Sequence, residues 1–190
     1  MNTAKALRSR FLLSPQVASA RHSAAQTYQP AAVLIPLIER QQELFVLLTR
    51  RSLHLRHHAG QICFPGGKYD AEDGSLRQTA LRETQEELGI ASHDIQVWGH
   101  LPEYHTVSGF IITPFVATLV PDYRLQLTRE EVAEAFELPL QPLLERQNYG
   151  HWPLIRGGQT QMVVGCSLQQ HLIWGATARI LYDLAGQLAD

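Results

Sequence analysis

Short apolar runs alternate with polar segments along the chain, and their length and spacing predict a succession of strands. Residues 31–38 and 43–49 are rich in β-branched and large apolar side chains, which favours two buried strands joined by a turn at residues 40–42. Residues 62–64 predict a short strand that stops at Pro65-Gly66-Gly67. The remaining strands are predicted at residues 95–101, 110–120 and 132–138, with a late hairpin at 161–167 and 170–174.

Helical spacing appears in other parts of the chain. One helix is predicted at residues 75–88, where Ser75 can serve as the N-cap and Gly89 follows the end. A second is predicted at residues 176–188, where apolar residues recur at helical intervals. Shorter helices are predicted at residues 3–13 and around 142–146. Residues 1–29 are therefore predicted to be an N-terminal helix and linker, and residues 30–190 one α/β (α+β) domain with helices packed on a mixed sheet.

Composition narrows the possible partners. The net charge of −2 gives no basic field, so we expect no nucleic-acid partner, and a small charged ligand fits better. No apolar run approaches the ~20 residues that span a bilayer, and the first residues do not resemble a secretory signal. Cys63 and Cys166 form no CxxC pair, which favours a reducing compartment. These features predict a cytoplasmic protein with no membrane association.

Three carboxylates form the most informative pattern. Glu83, Glu86 and Glu87 have i, i+3 and i+4 spacing, so one helix would place them on one face. An acidic helix face is usually just solvated. Here, however, a Pro-Gly-Gly turn and an acid-rich loop precede the helix, and carboxylate oxygens suit hard cations such as Mg²⁺ or Mn²⁺. Arg82 could hold one of these carboxylates through two parallel hydrogen bonds, although an ordinary surface ion pair is the alternative.

Residues 67–90 resemble the Nudix box, G-x5-E-x7-R-E-U-x-E-E-x-G-U, where U is a bulky apolar residue. Residues 82–90 match every fixed position except that Thr84 occupies a U position. Asp73 stands where the motif has Glu, and eight residues instead of seven separate it from Arg82. The resemblance implies a Nudix α/β/α sandwich that hydrolyses a nucleoside diphosphate linked to another group. It also implies that Glu83, Glu86 and Glu87 bind the metal and, with Arg82, form the catalytic set.

Residues 47–67 are similar to a second pattern, L-L-T-x-R-[SA]-x3-R-x3-G-x3-F-P-G-G, which is typical of the coenzyme A pyrophosphatase branch of this family and fits without a gap. This resemblance implies cleavage of coenzyme A to 3′,5′-ADP and 4′-phosphopantetheine with Mg²⁺ or Mn²⁺. The residues it implies for substrate binding are Arg51, Arg56, Gly66 and Gly67.

Several alternatives stay open at this point. Residues 50–58 carry three arginines and three histidines, which could bind substrate phosphates, form a solvated loop or, through His54, His57 and His58, bind zinc. The general base could be one of the helix carboxylates or a later acid such as Glu103 or Glu131. The substrate could be ADP-ribose or a dinucleotide. A catalytically silent nucleotide-binding module is disfavoured because all three helix carboxylates are present.

Overall fold

A computed structural model describes residues 3–14, 28–156 and 159–189, so most of the linker predicted at residues 19–29 lies outside the described residues. The helices are α1 (Ala4–Leu13), α2 (Leu76–Leu88), α3 (Leu140–Leu143) and α4 (Ala176–Gln187). The strands are β1 (Gln29–Arg40), β2 (Glu43–Arg51), β3 (Ile62–Cys63), β4 (Gly66–Lys68), β5 (Ile95–His100), β6 (Tyr104–His105), β7 (Phe110–Leu119), β8 (Val132–Pro139), β9 (Gly150–Arg156), β10 (Gln159–Leu168) and β11 (His171–Trp174).

The main sheet is mixed and branches at β1. Strand β1 runs parallel to β7 along one edge, while the opposite edge is divided between two antiparallel partners. Residues 37–40 of β1 pair with β2, and residues 31–33 pair with β4. Strand β2 then leaves β1 and pairs with β8 and β3. We call this divergence of β2 and β4 along β1 the fork. A separate antiparallel sheet contains β9, β10 and β11.

Helices cover both faces of the main sheet. Alternate residues of β2 point to opposite sides: Leu47 joins the core that includes α2, whereas Val46 and Leu48 join the core shared with α1 and α4. This arrangement confirms the predicted α/β/α sandwich with a mixed sheet. Within the described ranges, no helix combines the length and apolar character that a bilayer crossing requires.

Local sequence signals explain two boundaries that position the site. The hydroxyl of Ser75 accepts a hydrogen bond from the Gln78 N–H at 3.3 Å, which caps the start of α2. At its end, Gly89 takes a left-handed conformation (φ 72°) and its N–H donates to the Gln85 carbonyl. These contacts confirm the helix predicted at residues 75–88, with its first helical residue at Leu76.

Three features differ from the sequence-based expectations. Strand β3 ends at Cys63 before Pro65-Gly66-Gly67, as predicted, but the glycines begin a further strand, β4, which lies so close to β1 that a Cβ on Gly66 would sit 2.3 Å from the Ala32 carbonyl oxygen. Strands β6 and β9 were not predicted. The helix expected around residues 142–146 lies at Leu140–Leu143, because Pro142 falls in a first turn whose N–H groups have no partner within the helix.

Candidate active site

Glu83 and Glu87 of α2 face the backbone of β4. The Glu87 side chain is almost completely buried (3% exposed), and one of its oxygens accepts a hydrogen bond from the Gly66 N–H at 3.2 Å. The carboxylate of Glu83 lies against Gly67, where an added Cβ would be 2.4 Å from Cδ of Glu83. The backbone of these two glycines therefore forms the floor beneath the two carboxylates, and this close approach is possible only because glycine has no side chain.

Glu86 lies differently from the other two carboxylates. Its side chain is 59% exposed, and its carboxylate is 2.9 Å from Nη1 of Arg82. Glu83 and Glu87 thus face the glycines, whereas Glu86 is more exposed and is joined to Glu83 through Nη1 of Arg82, which lies 2.9 Å from both carboxylates. Among the described residues, no group of three histidine, cysteine, aspartate or glutamate side chains is already arranged to hold a metal ion.

Arg82 connects this region through several contacts. Its Nε and Nη2 donate to the two oxygens of Asp73 at 2.7 and 3.1 Å, and Nη1 lies 2.9 Å from Glu83. Nη2 also donates to the Lys68 carbonyl of β4. Asp73, which replaces the usual glutamate of the motif, is therefore the anchor of Arg82. Hydrogen bonds from Arg82 hold the pKa of Asp73 well below its ordinary range.

The electrostatics of Glu83 and Glu87 are unusual. Burial, reinforced by the charge of Glu83, raises the pKa of Glu87 to about 8, and the Gly66 N–H offsets only part of this rise. Burial also raises the pKa of Glu83, against the opposing effect of Arg82. Two carboxylates whose charged forms are destabilised in this way are suited to a cation, which would stabilise both charges. The donor set therefore fits a divalent metal ion.

The two consecutive arginines at the end of β2 point to opposite faces of the sheet. Arg51 lies on the side of α2, where its charge acts on Glu87. Arg50 lies on the other side and contacts Glu134 (3.1 Å) and Nδ1 of His171 (3.1 Å). Arg50 therefore contacts β8 and β11, whereas the proposal that residues 50–58 bind substrate phosphates depends on Arg51 and Arg56.

The loop after β2 has no metal-binding arrangement. Arg56, His54, His57 and His58 are exposed, and Nδ1 of His58 contacts Oε1 of Gln61 at 2.8 Å. In the part of the chain that the structure describes, these histidines form no metal cluster. The zinc alternative therefore gains no support.

A fourth carboxylate approaches from the segment between β7 and β8. The charge of Glu131 contributes to the raised pKa of both Glu83 and Glu87. The Glu131 carbonyl accepts a hydrogen bond from the N–H of Ser52, which connects this segment to the loop after β2. Of the later acids considered from the sequence, Glu131 is thus the one shown to act electrostatically on the helix carboxylates.

The helix that carries the carboxylates and the glycine turn beneath it lie in a region that matches a known protein family. The NUDIX domain family matches residues 27–157, which include α2, β4 and the fork. The chain belongs to the Nudix family. Nudix proteins hydrolyse nucleoside diphosphate derivatives and generally depend on divalent metal ions, and this chain is a Nudix pyrophosphohydrolase.

Curated Nudix relatives cover most of the chain. One from Photorhabdus laumondii, named as an uncharacterized Nudix hydrolase NudL, is 44% identical over 158 residues, which are 83% of this chain and 84% of the relative. A relative of the same name from Escherichia coli is 40% identical over 181 residues, 95% of this chain and 92% of the relative. This Nudix chain is therefore NudL-like.

Solved Nudix structures share the fold at lower identity. A NUDIX hydrolase from Alicyclobacillus acidocaldarius has a TM-score of 0.53 at 18% identity, covering 86% of this chain and 93% of that one. An Ap4A hydrolase from C. elegans in a binary complex has a TM-score of 0.52 at 21% identity, covering 62% of this chain and 84% of that one. These two similarities support the Nudix fold alone.

Some site features of this Nudix protein escaped the sequence interpretation. The separation of Arg50 from Arg51 coincides with a shift in the register between β2 and β8 at these two residues, and the sequence of residues 44–51, which shows no polar–apolar alternation, does not signal it. The anchoring of Arg82 by Asp73 depends on the short 3₁₀ turn at Ala71–Asp73, for which the acid-rich sequence gave no clear signal. The anchored Arg82 in turn contacts both Glu83 and Glu86 through Nη1.

Proposed function

We propose that the protein hydrolyses coenzyme A or one of its derivatives to 3′,5′-ADP and 4′-phosphopantetheine, with Mg²⁺ or Mn²⁺ as cofactor. The coenzyme A-type pattern at residues 47–67 begins in β2, passes through an exposed loop and ends on Gly66 and Gly67 beneath Glu83 and Glu87. One continuous segment thus supplies the floor of the metal site and a loop at its rim. This continuity supports a role for the segment in choosing the substrate.

The position of Arg51 is the observation that carries the proposal. Its charge acts on Glu87, so the guanidinium lies beside the proposed metal site. Its Nε is buried, and among the described residues it has no hydrogen-bond acceptor. Because buried donors are normally paired, an acceptor brought by the substrate is expected here. A phosphate oxygen of the pyrophosphate would serve, and guanidinium groups bind such oxygens strongly.

Arg56 is proposed to bind a more distant part of the substrate. It is exposed in the loop that follows Arg51, and so can reach a group outside the metal site. Coenzyme A carries a 3′-phosphate away from its pyrophosphate, which ADP-ribose lacks. An exposed arginine at the rim therefore offers a means of selecting coenzyme A.

The proposed mechanism assigns each side chain a simple task. Glu83 and Glu87 would hold the metal with Glu86, and Arg82 would orient Glu83 and Glu86. A bound divalent cation would supply neutralisation of the pyrophosphate charge and a lower pKa for the attacking water. Glu131, the later acid whose charge acts on both buried carboxylates, would accept the proton from that water. Arg51 would hold the pyrophosphate in line for attack.

A substrate panel tests this proposal. The purified protein would be incubated with coenzyme A, ADP-ribose and diadenosine tetraphosphate, each with Mg²⁺ and with Mn²⁺, and the products would be identified by mass. We expect coenzyme A to have the highest kcat/KM and to yield the two named products. A higher kcat/KM for ADP-ribose or the dinucleotide would reject coenzyme A as the substrate while leaving pyrophosphate hydrolysis intact.

The role of Arg56 is tested by Arg56→Ala. Loss of one exposed phosphate contact should raise the KM for coenzyme A by roughly five- to tenfold, with a smaller change in kcat. The KM for dephospho-coenzyme A, which lacks the 3′-phosphate, should change less. Lys5→Ala, which removes an exposed cation from α1 on the opposite face of the sheet, is the control. An unchanged KM for coenzyme A in Arg56→Ala would remove Arg56 from substrate binding.

A further inference from the structure

The segment between β7 and β8, residues 120–131, is paired with the last turn of α2. The N–H of Gln126 donates to the Leu88 carbonyl at 2.8 Å, and the N–H of Thr128 donates to the Glu87 carbonyl at 3.0 Å. The Thr128 hydroxyl donates to the Glu86 carbonyl at 2.5 Å. The last carbonyls of a helix have no partner within it. Here the segment supplies those partners, at the two residues that carry proposed metal-binding carboxylates.

Thr128 also fixes the backbone of Glu131. Its carbonyl accepts hydrogen bonds from the N–H groups of Glu131 and Val132, both at 2.9 Å. Val132 is buried and begins β8, so the chain at this point is anchored in the sheet. Thr128 thus bonds to the metal-binding helix on one side and to the Glu131 backbone on the other. One residue connects the two groups of carboxylates.

The first residues of the segment are fixed by contacts with the main sheet. Arg40 donates from Nη1 to the Pro121 carbonyl at 3.0 Å and binds Glu137 through two further nitrogens. The Tyr123 hydroxyl donates to the same Glu137 at 2.6 Å. At the far end of α2, a Cβ on Gly89 would lie 2.7 Å from Cβ of Gln126. The segment is therefore closely packed against the helix and fastened to the sheet.

We propose that Thr128 is a positioning residue, whose hydroxyl keeps the last turn of α2 in register with Glu131. This inference rests on the proposed role of Glu131 in the hydrolytic reaction. Without the hydroxyl, the Glu86 carbonyl loses its partner and the helix end can move relative to the segment. Because catalysis depends on sub-ångström placement of the reacting groups, a small shift lowers turnover. Substrate contacts made by the loop after β2 are not affected.

The test compares Thr128→Val, which keeps the shape of the side chain and loses the hydroxyl, with Thr128→Ser, which keeps the hydroxyl. We expect Thr128→Val to lower kcat roughly tenfold with little change in KM, and Thr128→Ser to restore most of the activity. Thr118→Val is the control, because the Thr118 hydroxyl also makes a hydrogen bond, to Trp98, but away from α2. This control should keep wild-type kcat.

A double-mutant cycle distinguishes positioning from general stabilisation. If Thr128 acts through Glu131, Thr128→Val should cost less than about twofold in kcat when Glu131 is already Gln, because the group being positioned is gone. Equal losses in both backgrounds, or wild-type kcat in Thr128→Val, would overturn the inference. A wild-type Glu131→Gln activity would instead reject the proposed role of Glu131. All four kcat values are measured at saturating Mn²⁺, so that any weaker metal binding caused by Thr128→Val does not enter the comparison.

Discussion

Two arginine–carboxylate clusters have the same local geometry and different surroundings. In the first, Arg40 binds both oxygens of Glu137 at 2.7 and 2.6 Å. In the second, Arg82 binds both oxygens of Asp73 at 2.7 and 3.1 Å. The first cluster is balanced, because one guanidinium meets one carboxylate, and Arg40 lowers the pKa of Glu137. The second contains a surplus of carboxylates.

The excess of carboxylates over guanidinium groups distinguishes the candidate metal site around Arg82 from the structural contact around Arg40. Arg82 contacts Glu83 and Glu86 in addition to Asp73, and Glu87 is buried next to them. Burial raises the pKa of Glu83 and Glu87, whereas the hydrogen bonds that Glu137 accepts from Arg40 and Tyr123 outweigh the effect of burial and lower the pKa of Glu137. Ion-pair geometry alone would not distinguish the clusters. The direction of the pKa shifts does, because it shows where positive charge is missing.

The largest expected effect is the loss of hydrolytic activity when one carboxylate of the Arg82 cluster is replaced by a neutral side chain. Glu87→Gln should lower kcat by about a hundredfold or more, because a neutral amide is a poor ligand for a hard cation. The fold should survive, since the amide oxygen can still accept the Gly66 N–H. Steady-state kinetics and circular dichroism measure the two properties. Asp183→Asn, which breaks the Arg179 ion pair on α4, is the matched control. Near-normal turnover by Glu87→Gln would end the assignment.

The second effect concerns stability without metal. The pKa of Glu87 rises from about 4.5 in the unfolded chain to about 8 in the fold, so the folded state binds the proton more tightly. The contribution of the Glu87 side chain to the free energy of unfolding is therefore favourable at low pH and is lost as the pH rises from about 4.5 to about 8. In a chelating buffer at pH 8, Glu87→Gln should be more stable than the wild type by about 2–4 kcal/mol.

Urea unfolding across pH measures this difference. The two stabilities should converge near pH 4.5, and Mn²⁺ should stabilise the wild type more than Glu87→Gln. Equal free energies of unfolding for both proteins at pH 8 without metal would show that the Glu87 carboxylate is not destabilised in the fold.

The smallest effect is expected in the balanced cluster. The lowered pKa of Glu137 means that its ionised form stabilises the fold above the ordinary glutamate pKa, and that this stability is lost as the pH falls through the lower folded value. Because Arg40 is 40% exposed, Glu137→Gln should cost only about 1 kcal/mol at pH 7. The cost should disappear in acid. A penalty that persists at low pH would point to packing instead of charge.

The elements that were predicted correctly from the sequence are those whose structure is determined by residues close to them along the chain. The ends of α2 follow from Ser75 and Gly89, which act within one turn. The β1–β2 hairpin turns at Gln41 and Gln42, which both adopt positive φ values, as two-residue turns of this kind require. The late β10–β11 hairpin was also predicted correctly.

The parts that escaped prediction depend on contacts distant in sequence. Strand β4 exists because residues 66–68 pair with residues 31–33, and a Pro-Gly-Gly sequence has no strand propensity of its own. Helical spacing placed Glu86 beside Glu83, and Nη1 of Arg82 lies 2.9 Å from both, but the spacing gave no sign that Glu86 is far more exposed than Glu83. Thr128 went unnoticed because its partners are main-chain carbonyls some 40 residues away, which no side-chain pattern reveals.

The fork places two parts of the candidate site on different strands, β2 and β4. Strand β1 exchanges β2 for β4 along its length, and this divergence is set by main-chain pairing, which side-chain replacement does not alter. Gly66 lies on β4, where its N–H donates to Glu87, and residues 52–61 continue the chain from β2. Substitutions or insertions in residues 52–61 would therefore leave the main-chain contact between Gly66 and Glu87 in place.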